Sequence, residues 1–257
     1  MKTLAIIPSR YGSTRFEGKP LAKLCGKEMI IWVCEAVKNT NLFTKIIVAT
    51  DDLRIYNTVI SKGFEAQMTY KYHKNGTERC EQVLQNEELN GNFYDVVVNV
   101  QGDEPIIKKE QLDIVLKNFE QKHEIQISTL MKQIENIETL MSIDVVKVVA
   151  SQDNALYFSR CPIPYCRDKS IQEGLDAGIY YKHIGLYAYK PEVLHNIVKL
   201  NVSVLEQTES LEQLRWLENG YKININPTNY DSFGIDTMED LLILEKKLRE
   251  NNNSIYF

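Results

Sequence analysis

Apolar positions in this chain fall into short β-branched runs separated by stretches with helical periodicity. Leu4-Ala5-Ile6-Ile7, inside the segment Thr3–Leu21, stops abruptly at Pro8. Lys45–Thr50 (KIIVAT) and Tyr94–Val100 (YDVVVNV) are further apolar runs of the length expected for buried parallel strands. Between them, Lys27–Val37 is apolar at Met29, Ile30, Val33 and Val37, which predicts a helix. Leu53–Lys62 predicts a second helix, capped by Asp51-Asp52 and closed by Gly63. A short strand at Glu65–Thr69 leads to Gly76-Thr77-Glu78-Arg79, where Thr77 opens a third helix to about Glu88. Strands alternating with helices over short connections predict an α/β protein with a doubly wound, mostly parallel, Rossmann-like sheet.

The later half is less regular. It reads as a helix at Lys109–Gln121, a strand at Ile125–Met131 and a short helix at Asn136–Met141. Val145–Ala150 and Ala155–Ser159 pair across the turn Ser151-Gln152-Asp153-Asn154. An irregular loop runs from Pro162 and Pro164 to about Gly178, followed by the aromatic strand Ile179–Tyr189. Val204–Asn219 reads as one helix, with capping-box spacing at Ser203 and Glu206 and a stop at Gly220. A strand at Ile223–Ile225 and a helix from Thr237 to about Arg249 follow, and Asn251–Ser254 reads as a frayed tail. With no internal repeat or low-complexity linker, 1–257 is expected to be a single domain with an inserted subregion.

Composition narrows the class. Hydrophobic content of 44% with 25% charged residues is that of a soluble globular chain, and a net charge of −5 argues against a nucleic-acid partner. No signal peptide or membrane-spanning stretch is evident. The five scattered cysteines (Cys25, Cys34, Cys80, Cys161, Cys166) fit reduced thiols, so a cytoplasmic protein without disulfide or structural zinc is expected. His73, His123, His183 and His195 are dispersed as well.

Three polar clusters follow the predicted strands. Arg10, Arg15 and Lys19 stand among Gly12, Ser13, Thr14 and Gly18 directly after the first strand, a pattern that cradles anions, although solvated loop charges look the same in sequence. Asp51 ends the second strand. Gln101-Gly102-Asp103-Glu104-Pro105 ends the Tyr94 strand, and a carboxylate held there suits Mg2+, which takes carboxylate and phosphate oxygens. In such sheets all three lie on the ligand-binding rim. Asp236 before the last helix is open to two readings, metal ligand or N-cap. His183 within a strand reads as a packed histidine or a site residue. Glu209, Glu212, Gln213 and Trp216 recur on one side of the Val204–Asn219 helix opposite Leu211, Leu214 and Leu217, as a solvated stripe or a binding face. Neither a dinucleotide fingerprint nor a P-loop or nucleophile elbow is present.

In order, IPSRYGSTRFEGKPL, VATDD, GTER, NVQGDEP, VVKVV, ALYFSRCPIPY, YKHIGLYAY, ESLEQLR and GIDT resemble the 3-deoxy-manno-octulosonate cytidylyltransferase (CMP-Kdo synthetase) family over nearly the whole chain. The SRCPIPYCRD and YKHIGLYAY stretches look most like its capsule-associated branch. The resemblance implies the nucleotide-diphospho-sugar transferase type of fold, with 1–122 mainly the CTP-binding half and 123–225 an inserted subregion mainly serving sugar binding and dimerisation. It implies that Arg10, Arg15 and Lys19 bind the triphosphate of CTP, with Thr77 and Arg79 near the nucleotide. Asp103 and Asp236 would be Mg2+ ligands, and Gln101, Arg160, His183, Tyr187, Glu212 and Gln213 would hold the acidic sugar. The implied reaction joins CTP and Kdo into CMP-Kdo and pyrophosphate, for lipopolysaccharide or capsule synthesis, in a homodimer. Activation of 8-amino-Kdo or another nonulosonate, and a non-catalytic nucleotide-sugar binding protein, are the alternatives. Four features depart from the family pattern: Glu17 stands in place of Pro, Asn75 in place of Ser, Asp144 in place of a neutral residue, and Asn226–Phe233 is poor in glycine.

Overall fold

The computed structural model describes residues 1–12, 15–122 and 124–250. Ser13, Thr14, His123 and the tail from Asn251 lie outside the described residues. The chain divides into two compact units, Met1–Asp113 with Ser232–Phe257, and Ile114–Asp231.

The first unit runs β1 (Thr3–Ser9), the hairpin strands β2 (Lys23–Leu24) and β3 (Lys27–Glu28), α1 (Met29–Asn39), β4 (Lys45–Thr50), α2 (Leu53–Ser61), β5 (Glu65–Met68), α3 (Gly76–Leu89), β6 (Val96–Asn99) and the start of α4 (Lys109–Gln121). It ends on the last helix, Met238–Glu250. Its strands lie in the order β5-β4-β1-β6, every neighbouring pair parallel. Leu4, Ala5, Ile6 and Ile7 are wholly buried because β1 has a strand on each side and helices over the sheet. This is the parallel α/β sheet that the apolar runs predict.

Two boundaries move for local reasons. Lys27 and Glu28 belong to a hairpin whose turn, Cys25-Gly26, has φ of 50° and 82°, so α1 begins at Met29. Helix α3 is capped by Asn75, whose side chain accepts from the Glu78 N–H at 2.9 Å, and Thr77 lies inside the helix rather than opening it. The unusual Asn75 therefore does what a serine would do there. Asp52 caps α2 as predicted, accepting from the Arg54 N–H. The last helix lays Leu241, Leu244 and Leu248 against Leu24, Met29 and Trp32, which ties the chain end back onto the hairpin and α1.

The second unit contains β7 (Ile127–Gln133), α5 (Ile137–Met141), β8 (Lys147–Ser151), β9 (Asn154–Ser159), α6 (Ile171–Asp176), β10 (Tyr181–Tyr189), α7 (Pro191–Ile197), α8 (Val204–Glu209), α9 (Glu212–Glu218) and β11 (Ile223–Pro227). Strand order is β10-β7-β11-β9-β8, and the start of β10 also pairs with β8. Apart from the parallel β7–β11 pair, these pairings are antiparallel. Gln152 and Asp153, with φ of 48° and 63°, make the predicted tight turn between β8 and β9.

Three helical expectations need correction. The single helix Val204–Asn219 is two: Ser210 is left-handed (φ 54°, ψ 47°) and Leu211 is extended, which breaks the axis between α8 and α9. Helix α6 sits inside the expected irregular loop, held by a Ser170–Glu173 capping box. Helix α7 was not foreseen, although Pro191 at its first turn is the usual start signal.

Candidate active site

In the first unit the chain leaves β1 to build β4 and β5 on one side, then returns through α3 to β6 on the other. Loops after β1 and β6 diverge at that reversal, where open α/β sheets bind ligands. A cavity of about 420 Å³ lies there, walled by the first loop, the start of α3, Gln101-Gly102-Asp103 and Asp236.

Close packing at strand ends fixes this wall. A Cβ on Gly102 would stand 2.7 Å from the Pro8 carbonyl oxygen, so only glycine lets the Gln101–Pro105 segment cross the end of β1 this closely. Gly76 packs its α-carbon against the other side of Pro8, with a Cβ there meeting the ring at 3.1 Å. Asp103 is thereby held at the rim. Its carbonyl accepts from the Ile235 N–H at 3.0 Å, which places Asp236 next to it although the two lie far apart in sequence.

Asp236 is not the cap of the last helix. Thr237 and Asp240 form that cap reciprocally: the Asp240 carboxylate accepts from the Thr237 N–H (2.8 Å) and hydroxyl (2.8 Å), and the Asp240 N–H donates to Thr237 Oγ1 (3.2 Å). Burial works against the Asp240 charge, but these hydrogen bonds outweigh it and hold its carboxyl below the usual range. The Asp236 carboxylate is left to face the cavity. Lys19 Nζ sits between the two aspartates, 2.7 Å from Asp103 Oδ2 and 3.3 Å from Asp236 Oδ1, and Arg15 Nη2 is 3.1 Å from Asp236 Oδ1.

The remaining cations divide by role. Arg10 and Lys74 reach the cavity with no ion-pair partner among the described residues. Arg79 borders it, but its guanidinium is 3% exposed and bonded to Asp51 (2.6 Å), Thr69 (2.8 Å) and the Tyr70 carbonyl (3.3 Å). It cross-links the ends of β4 and β5 to α3. Thr77 is buried in the first turn of α3. Glu17 is exposed and is not among the side chains lining the cavity. Its charge acts instead on Arg54, whose guanidinium is pushed up first by hydrogen bonds to Asp52 and lies 3.3 Å over the Tyr11 ring. Sequence reasoning missed Ser9, His73 and Lys74 as wall residues; adjacency to the strand end and to Gly76 was the available signal.

Asp103 and Asp236 are two hard oxygen donors gathered around one ammonium. That donor set fits Mg2+, which is typically held by one or two carboxylates plus phosphate oxygens. No group of three or more metal-ligating side chains gathers among the described residues, so the other ligands would be substrate oxygens or water.

The other candidate residues, Gln101 apart, lie in the second unit. His183 and Tyr187 come from β10, where the register slips between Ile184 and Ala188. Thr129 fills that irregularity, its hydroxyl 2.8 Å from the Leu186 carbonyl and 3.0 Å from His183 Nε2. The His183 and Tyr187 rings are 5.2 Å apart, with Phe158 edge-on to His183 at 5.0 Å. His183 keeps some contact with solvent, yet burial drives its pKa down to about 3. Burial, then the nearby Glu212 charge, raises the Tyr187 phenol. Arg160 follows β9, donating Nε to the Glu209 carbonyl and Nη1 to the Ile143 carbonyl, both at 2.8 Å. Glu209 is fixed in turn by the Ser159 hydroxyl at 2.6 Å. Glu212 accepts from Arg215 at 2.7 Å.

The expected polar stripe does not exist as one surface. Glu209 and Glu212 are on different helices, and Gln213 and Trp216 are 6% and 1% exposed. Trp216 packs edge-on against Tyr187 at 5.2 Å, so α9 supports the aromatic cluster rather than facing solvent.

The cytidylyltransferase family matches residues 4–223. The 3-deoxy-manno-octulosonate cytidylyltransferase of Thermodesulfovibrio yellowstonii is 47% identical over 252 residues, covering 96% of this chain and 98% of the relative. The enzyme of that name from Parabacteroides distasonis is 48% identical over 246 residues, covering 94% and 96%. Among solved structures, CMP:2-keto-3-deoxy-manno-octonic acid synthetase in complex with CTP superposes with a TM-score of 0.89 at 36% identity, covering 98% of this chain and all of that one. A Leptospira borgpetersenii cytidylyltransferase at 16% identity and a TM-score of 0.60 shares the fold. Identity at this level over almost the full length makes this chain a member of the 3-deoxy-manno-octulosonate cytidylyltransferase family.

Proposed function

We propose that this protein joins CTP to 3-deoxy-D-manno-octulosonate, forming the bond between the sugar's anomeric 2-hydroxyl oxygen and the α-phosphorus while the bond to pyrophosphate breaks. The observation that carries the reading is the rim of the first unit, where Arg10, Arg15 and Lys19 meet Asp103 and Asp236 at one cavity. Phosphoryl transfer of this kind needs positioning and charge neutralisation more than a protein nucleophile. Arg10, Arg15, Lys19 and Lys74 supply the cations for the triphosphate. Asp103 and Asp236 hold Mg2+, which when bound neutralises charge on the phosphate oxygens. Lys19 and Arg15 are the internal counterions of those aspartates in the free protein, which keeps two carboxylates close together without mutual repulsion.

In the second unit, Arg160, His183, Tyr187, Glu212 and Gln213 bind the acidic sugar; Gln101, the other residue of that set, lines the cavity of the first unit. Arg160 suits the sugar's carboxylate because two backbone carbonyls already fix the guanidinium plane, leaving the rest of the fork for a charge-assisted pair. His183 is a neutral donor or acceptor there, since its pKa near 3 keeps it uncharged at working pH. A homodimer is part of the reading and is tested by sedimentation. No helix among the described residues is long and apolar enough to cross a membrane.

The direct experiment measures pyrophosphate release with CTP or UTP against a panel of ulosonic acids. Turnover with CTP and Kdo is expected, and absence of turnover with every acid refutes the assignment.

A further inference from the structure

Thr129, in the middle of β7, is wholly buried, and its hydroxyl meets two backbone carbonyls and an imidazole. Its oxygen is 2.8 Å from the Leu186 carbonyl oxygen, 3.1 Å from that of Ile184 and 3.0 Å from His183 Nε2. A hydroxyl has one proton to give, and a carbonyl oxygen can only accept. An oxygen–oxygen separation of 2.8 Å is that of a hydrogen bond, so the proton points at Leu186. Sent to His183 instead, it would leave lone pairs facing lone pairs at both carbonyls in a buried site. The hydroxyl therefore accepts from His183, and the imidazole carries its proton on Nε2. Burial holds the ring neutral, with a pKa of about 3, so Nδ1 is bare. Nδ1 has no hydrogen-bond partner among the described residues and is not one of the buried side-chain atoms left unpaired. It lies on the part of His183 that solvent reaches.

We propose that Thr129 is a positioning residue for sugar binding: it locks His183 as the Nε2–H tautomer, so that Nδ1 offers an acceptor to a hydroxyl of the sugar. The proposal rests on the assignment of His183 to the acidic sugar above. An imidazole with a fixed tautomer discriminates by hydrogen-bond direction. Its bare nitrogen takes a hydroxyl and repels a carboxylate oxygen, which has only lone pairs to offer. The carboxylate is thereby left to Arg160. The irregularity in β10 gains a purpose as well. The slip between Ile184 and Ala188 brings both carbonyls onto the Thr129 hydroxyl, and those carbonyls set the direction of its proton.

The test is heteronuclear NMR of the histidine ring nitrogens in wild type, Thr129→Val and Thr129→Ser, with the His183 signals assigned by His183→Gln. Pyrophosphate release gives kcat and the KM for Kdo and for CTP, and thermal unfolding is followed for each protein. Wild type is expected to show the proton on Nε2, and its Nδ1 signal to move when Kdo is added. Thr129→Val keeps the shape and loses the hydroxyl. It should lose the preference for Nε2–H and raise the KM for Kdo roughly two- to ten-fold, the scale of one hydrogen bond, while kcat and the KM for CTP hold. It should also unfold at a lower temperature, because the Leu186 carbonyl loses this donor; a purely structural role would end there. Thr129→Ser should restore both the tautomer and the KM. A wild-type proton on Nδ1 overturns the proposal without any variant, and so does a Thr129→Val ring with unchanged tautomer and KM. Wild type with Nε2–H that neither responds to Kdo nor turns it over refutes the sugar reading instead.

Discussion

The reassignment of the last helix's cap gives Asp236 and Asp240 opposite expected behaviour. Asp240→Ala removes the acceptor of hydrogen bonds from the Asp236 N–H, Thr237 N–H and Thr237 hydroxyl, at 3.0, 2.8 and 2.8 Å. Loss of such a cap costs about 1–2 kcal/mol, or a fall of roughly 2–8 °C in Tm for a chain of this size. Asp236→Asn removes only ion pairs to Lys19 and Arg15 from a carboxylate that is 47% exposed, facing an arginine that is 62% exposed. Exposed pairs are worth roughly 0–1 kcal/mol, so its Tm should move by no more than a few degrees. Activity reverses the order. Asp236→Asn removes one of two anionic oxygen donors at the proposed site of phosphoryl transfer, and a loss of about 10²–10³-fold in kcat is the scale for removing one preorganised electrostatic group. Asp240→Ala should keep turnover within several-fold, since it touches the site only through the Asp236 backbone. Differential scanning calorimetry and a coupled pyrophosphate assay on both variants decide the matter. An Asp236→Asn protein that loses as much stability as Asp240→Ala while retaining full turnover would show that Asp236 is the cap after all.

Further outcomes follow from the same geometry. Gly102→Ala, whose added Cβ would meet the Pro8 carbonyl at 2.7 Å, should lose about 1–3 kcal/mol of stability to overpacking and lower activity by shifting Asp103; a variant with wild-type urea midpoint and turnover would contradict the close approach. Asn75→Ala should cost about 1 kcal/mol as a lost N-cap, and Asn75→Ser should recover most of it in the same urea titration. His183 is kept neutral, so the unfolded chain takes up a proton that the folded chain refuses, and stability should fall as pH drops below its ordinary 6.5. Burial raises Glu87, but hydrogen bonds from Lys45, Tyr94 and Asn92 outweigh it and hold the carboxyl below 4.5, so its contribution is complete above that pH and lost as pH falls through the folded value. Denaturant titrations over a pH series should therefore show His183→Gln flattening the weakly acidic arm and Glu87→Gln the strongly acidic one; an unchanged slope in either variant would refute its share.

Much of the first unit was legible because its signals are local. An apolar run that stops at Pro8, a helix that starts after Asp52 and a polar rim segment at Gln101–Pro105 each declare themselves within a few residues. Periodicity has a blind spot in the second unit. Glu209, Glu212, Gln213 and Trp216 satisfy helical spacing, but spacing assumes an unbroken axis, and the left-handed Ser210 rotates α9 so that Gln213 and Trp216 turn inward.

By itself, then, the sequence determined the parallel α/β core, most caps and turns, and the residue types of the site: cations after β1, an aspartate after β6, another before the last helix. Only the tertiary structure decided what those residues do together. Strand order puts the ends of β1 and β6 side by side, the Ile235–Asp103 backbone bond delivers Asp236 to the same rim, and Lys19 joins the two carboxylates there. No local preference encodes such contacts, because they arise from packing between segments far apart in the chain, with Thr237 and Asp240 capping the helix and thereby leaving Asp236 to face the cavity.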